Sequence, residues 1–129
     1  MIRRASVTLA LALTGAACHA PAGHVEHVVL LWLKEPDSVA HVQRVIDTSL
    51  ELRAIPGVLD VVVGPPIPSQ RGIVDDSFTL CLLFTMEDEA ALERYVDHPL
   101  HERAKEEVLA PLVERIQVYD FMHAGAGAR

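Results

Sequence analysis

The stretch Tyr95-Val96-Asp97-His98-Pro99-Leu100-His101 decides how this chain folds. Pro99 lacks an amide hydrogen and disfavours helical geometry at His98, so a helix arriving from the N-terminal side stops there. The same proline suits the first position of a new helix. Two helices therefore meet at this junction, which gathers a phenol and two imidazoles. An imidazole exchanges protons near neutral pH, and a phenol can donate a hydrogen bond to a carbonyl.

Upstream, Ala91, Leu92, Tyr95 and Val96 share a helical face, and Thr85-Met-Glu-Asp88 predicts a capping arrangement at its start. Downstream, Leu100, Ala104, Val108 and Leu112 recur at four-residue spacing, and Pro111 kinks or closes that helix. Glu114 to Met122 reads as the last strand. Towards the N-terminus, His27 to Leu33 reads as a strand apolar on both faces. A turn follows, then a helix capped by Asp37 or Ser38 that carries Val39, Val42, Val45, Ile46, Ser49 and Leu50. Pro56-Gly57 ends it, and Val58 to Val63 is the second strand. Gly64 to Gly72, with three prolines and two glycines, is a loop. In the third strand Phe78, Leu80, Leu82 and Phe84 face one way, and Thr79, Cys81, Leu83 and Thr85 the other.

The order β-α-β-β-α-α-β is an α+β, split βαβ pattern: a four-stranded antiparallel sheet with helices on one face. The other face is left uncovered, and the first three strands place apolar side chains on it. An apolar face of that extent marks an interface, and pairing of two copies sheet against sheet is the economical solution.

A length of 129 residues fits one domain with a short extension. The formal net charge of −7 argues against nucleic acid as a partner. No phosphate-binding glycine loop, CxxC pair or HExxH helix occurs. His27, His98 and His101 could ligate a metal as neutral imidazoles, but no Asp, Glu or Cys pattern completes a site, so no metal or cofactor is predicted.

The N-terminus reads as an export signal over residues 1–17: basic Met1-Ile-Arg-Arg4, an apolar run centred on Leu9 to Leu13, then Gly15-Ala-Ala before Cys18. The apolar run is short of the ~20 residues that span a bilayer. Small residues before a cysteine resemble a bacterial lipobox, although Gly15 stands where leucine is usual. Cys18 would then carry lipid, the one membrane contact, and face the periplasm, at the outer membrane in a Gram-negative cell because His19 and not Asp follows it. Cleavage at a neighbouring small residue, with Cys18 incidental, is the other reading. Loss of residues 1–17 leaves 9 basic against 18 acidic side chains. Residues 18–25 are read as a tether, 26–123 as the domain and 124–129 as a flexible tail. Cys81 reads as a buried thiol within a strand.

With these elements in place, the chain resembles the stress-responsive dimeric α/β-barrel (Dabb) domain family over about residues 26–122. The features that carry the resemblance are His27 opening the first strand, Ile55-Pro56-Gly57-Val58, Gly64, Phe84, Tyr95-x-x-His98-Pro99-x-His101, Pro111-Leu112 and Val118-Tyr-Asp120-Phe121. The resemblance implies a ferredoxin-like fold that pairs as a homodimer to close a barrel. Most members have no known activity. The plant polyketide cyclases among them work without a cofactor and use the same Tyr-x-x-His-Pro-x-His pattern. Carried over, Tyr95 would polarise a carbonyl oxygen and His101 would remove an α-proton. His27 would be a pocket histidine, with His98 and Phe78 also at the ligand site. Phe78 stands where those enzymes have another pocket histidine, and Val45-Ile-Asp-Thr48 lacks the aromatic residues their first helix supplies.

Three function classes follow. The first is an exported domain that binds a small hydrophobic or carbonyl-containing molecule in the barrel. The second is a cofactor-independent cyclase or isomerase using Tyr95 and His101. The third is a barrel monooxygenase-like enzyme. Against any catalytic role stands a plain one, in which His98 and His101 hold the helix junction and Tyr95 packs in the core. His27 would be a satisfied polar group at a strand start, Asp120 would mark a pocket rim or bind a backbone amide, and His19, His24, His41 and His123 would lie in solvent.

Overall fold

The computed structural model describes residues 23–124. The expected export signal over 1–17, Cys18, most of the expected tether and residues 125–129 lie outside them. Along the chain come β1 (Val25–Leu33), α1 (Val39–Glu51) with a 3₁₀ turn (Leu52–Ala54), β2 (Val58–Gly64), β3 (Leu80–Met86), α2 (Glu89–Val96), α3 (Pro99–Ala104), a π-helical segment (Lys105–Leu109), α4 (Ala110–Leu112) and β4 (Val113–Met122). The strands form one antiparallel sheet in the order β2-β3-β1-β4. This is the ferredoxin-like arrangement that the order of elements predicts.

Alternation decides the layers. On β1, Val25, His27, Val29, Leu31 and Leu33 are buried, and on β3, Leu80, Leu82, Phe84 and Met86. These face the helices, where Val45, Leu52, Ile55, Ala91, Tyr95 and Val108 complete the core. The opposite parity lines the uncovered face: Val28, Leu30 and Trp32 on β1, Cys81 and Leu83 on β3, Val62 on β2, Tyr119 and Phe121 on β4. Val62, Tyr119 and Phe121 are 55%, 57% and 53% exposed. Among the described residues no helix is long and apolar enough to cross a membrane.

Local chemistry sets the helix ends. Ser38 caps α1, its hydroxyl accepting from the His41 amide. Gly57 takes φ +94° at the turn into β2, and a Cβ there would lie 2.7 Å from that of Ala91.

Several boundaries differ from the expectation. β1 begins at Val25, because Glu26 finds partners on β3 and just past β4: its carboxylate accepts from Thr85 Oγ1 at 2.9 Å and meets His123 Nε2 at 2.8 Å. His123 is therefore engaged and not simply solvated. β3 starts at Leu80, not Phe78, and runs on to Met86, since Thr85 and Met86 pair with β1 and β2. The capping residue of α2 is therefore Asp88, which accepts from the Ala91 amide at 2.8 Å, and not Thr85. As expected, Pro111 stands where the helix closes, within α4 just before the chain turns into β4.

Candidate functional site

His98 adopts ψ 138°, as a residue before proline should, and α2 ends. The ending leaves helix carbonyls without amide partners. His101, one turn into α3, reaches back so that its Nδ1 lies 2.9 Å from the Val96 carbonyl oxygen. A carbonyl can only accept, so Nδ1 carries the hydrogen and donates it, which leaves Nε2 as a bare acceptor. His98 does something else. Its Nδ1 accepts from the Leu100 amide at 3.1 Å and caps α3.

Tyr95 sits one turn after Ala91 on the buried face of α2 and is 1% exposed. Its ring lies 4.5 Å from that of His101, 5.5 Å from His27 and 5.3 Å from Phe84, centroid to centroid. His27 is directly opposite Phe84 on β3 and Asp120 on β4. The last pairing becomes a bond: His27 Nδ1 lies 2.6 Å from Asp120 Oδ1, the imidazole donating to the carboxylate. The rim residue Asp120 thus orients His27.

These groups face a cavity of about 180 Å³ between sheet and helices. Its wall is largely apolar, from Val29, Leu82, Phe84, Leu109, Ile116 and Val118, and His27, Tyr95 and His101 reach it from one end. Thr48 and Ser49 of α1 also line it. Lys105 completes the polar set and is ion-paired to Glu102 at 2.6 Å.

Burial controls protonation. It pushes the Tyr95 phenol well above the usual range, so the hydroxyl keeps its hydrogen. Burial likewise holds His101 below the ordinary histidine value. The Val96 bond and Glu102 oppose this, and the neighbouring Lys105 and His27 add to it. The pair is thus a neutral base beside a protonated phenol. The hydrogen bonds of the site run from His27 to Asp120 and from His101 to Val96, and the Tyr95 hydroxyl is in neither.

Of the residues predicted at the site, the structure brings together Tyr95, His101 and His27. His98 is spent on its cap. Phe78 lies before β3 and turns to the rear, its ring 6.4 Å from Trp32 and its side chain against the proline-rich loop. Sequence reasoning missed Thr48, Ser49 and Lys105. Asp120 was legible by parity, since it alternates with Val118 and Ile116. Among the described residues no group of three His, Cys, Asp or Glu could hold a metal ion.

The family model described as "Stress responsive A/B Barrel Domain" matches residues 25–123. Among solved structures, a Dabb family protein with a ferredoxin-like fold from Mesorhizobium loti is 25% identical, with TM-score 0.67, covering 80% of this chain and 99% of that one. A hydroxynitrile lyase from Passiflora edulis is 20% identical, with TM-score 0.70, covering 84% and 100%. A dimeric ferredoxin-like protein of unknown function from Thermobifida fusca is 20% identical, with TM-score 0.65, covering 79% and 92%. At 20% identity the last two establish the fold alone. None of the curated proteins matches the chain by sequence.

Proposed function

Because the chain belongs to the stress responsive A/B barrel domain family, we propose that it binds a small, largely apolar carbonyl compound between sheet and helices. Tyr95 and His101 then move a proton on that compound without a cofactor. The observation that carries this reading is the bare Nε2 of a neutral His101 beside a protonated Tyr95 at one end of an apolar cavity. In that step Nε2 takes a proton from the carbon next to the carbonyl. The C–H electron pair moves into the carbon–carbon bond, and the oxygen gains the charge while accepting from the Tyr95 hydroxyl. Returning the proton elsewhere completes an isomerisation. Attack of the enolate carbon on a second carbonyl of the same molecule, whose oxygen takes the proton back from His101 Nε2 as the first carbonyl re-forms, completes a cyclisation.

Acetophenone in deuterium oxide tests it. The wild-type chain is expected to accelerate deuterium uptake at the methyl group, and His101→Ala to lose the acceleration while staying folded. Binding without acceleration would reduce the function to ligand binding. That is the second reading, and it is supported by the His101–Val96 bond, which gives His101 a structural use. Neither binding nor acceleration would remove both.

The uncovered apolar face supports a homodimer joined sheet to sheet, the assembly state named for the Thermobifida fusca neighbour. A clean monomer in native mass spectrometry would refute it. The basic start, short apolar run and small residues before Cys18 support export and lipid anchoring at Cys18 to the cell envelope. Cys18→Ser should release the protein from membranes, and unchanged retention would count against the anchor.

A further inference from the structure

A second recess of about 290 Å³ opens between α1 and α3 and shares Thr48, Leu52 and Ala104 with the cavity just described. The two voids thus adjoin across a wall in which Thr48 and Ala104 are small side chains. Arg44, one turn before Thr48, and Arg103, next to Ala104, line it. The ion pairs found among the described residues engage Arg53, Lys105 and three histidines, and neither of these two arginines. Glu51 and Glu107 line the same recess. The recess thus carries two cationic and two acidic side chains, whereas the whole chain has 11 cationic and 18 acidic side chains. Lys105 is already matched by Glu102, which leaves the two guanidinium groups as donors. A guanidinium fork matches the two oxygens of a carboxylate.

We propose that the recess is a vestibule opening into the inner cavity past Thr48 and Ala104, and that the ligand is an amphipathic carboxylic acid whose apolar, carbonyl-bearing part enters the inner cavity. Its carboxylate stays in the vestibule, held between Arg44 and Arg103. Glu51 and Glu107 restrict the class to singly charged acids, because a second anionic group would meet them. The proposal rests on the inner cavity being the ligand site and adds the charge and orientation of what enters it.

The test titrates γ-benzoylbutyrate and its methyl ester into the full chain and into the Arg44→Gln/Arg103→Gln double variant. The wild type should prefer the acid by roughly 10-fold, a charge-assisted contact at a partly solvated site. The double variant should lose that preference and keep its ester affinity. Both arginines are exposed, so the variant is expected to fold. As an independent check on the wild type, raising salt from about 0.01 M to about 1 M should weaken the acid and spare the ester. Equal affinity for acid and ester, or a preference that survives the double substitution, would overturn the proposal and leave the inner-cavity reading standing. Failure of both compounds to bind would remove the inner-cavity reading and this proposal with it.

Discussion

Replacing Asp120 by alanine tests how the candidate site is built. His27 is 8% exposed, and its imidazole packs against the Phe84 and Tyr95 rings. Its Nδ1 hydrogen has the Asp120 carboxylate at 2.6 Å, and that carboxylate side chain is 47% exposed. A hydrogen bond to a charged group contributes about 1.5–3 kcal/mol, and leaving a buried donor unpaired costs about 1–3 kcal/mol. With the carboxylate half in water the figure falls to about 1–2 kcal/mol. For a domain of this size that is a drop in melting temperature of roughly 4–16 °C. The assay is urea unfolding of the wild type, Asp120→Ala, His27→Phe and the double variant at one protein concentration. The coupling energy between the two sites is expected at about 1 kcal/mol. In the wild type, the ¹⁵N shifts of His27 should place the hydrogen on Nδ1, and Asp120→Ala should mix the tautomers. A coupling energy below about 0.3 kcal/mol, with an unchanged tautomer, would show that the two residues do not act as a unit.

Three further outcomes follow from single residues. His101 titrates below the usual histidine value, so deuterium uptake should fall only as pH drops through a point under about 6.5. No alkaline loss is expected below the ordinary phenol range of about 10, because Tyr95 is shifted upward. By the same sign, the stability His101 contributes is complete above the ordinary value and lost as pH falls through its folded pKa, and a limb above 6.5 would contradict both statements. His98→Ala should cost about 1 kcal/mol through the lost α3 cap and leave ligand binding unchanged; weakened binding would put His98 back at the site. Gly57→Ala should cost about 2 kcal/mol or more in urea unfolding, because the backbone lies in the left-handed region and the new Cβ meets Ala91.

Local signals carried the architecture. Pro99 fixed the helix junction, the alternation in β3 fixed which side the helices cover, and Ser38 and Pro56-Gly57 bounded α1. Errors arose where the deciding partner was distant in sequence. Nothing near Glu26 says that Thr85 and His123 will satisfy its carboxylate, so β1 seemed to begin later. Thr85 looked like a cap because its amide pairing with β1 depends on the sheet register. At the site, the Tyr95 and His101 pairing was legible because both flank one proline. The division of labour between His98 and His101 was not. It depends on which carbonyl or amide each ring reaches, and only the turn geometry sets that. Lys105 faces the cavity from a π-helical turn, a register that four-residue spacing cannot anticipate.

The sheet is one layer thick, and successive residues of β1 serve its two sides. His27 and Val29 turn to the cavity, and Val28 and Leu30 to the uncovered face. A subunit paired across that face would be separated from the cavity by the whole sheet, with each vestibule opening on the helix side. Filling one cavity then touches no group at the pairing surface and offers no differential contact through which the second could sense it. Occupancy should follow a simple hyperbola with a Hill coefficient near one. A molecule of that kind would fill gradually as ligand concentration rises, without a threshold.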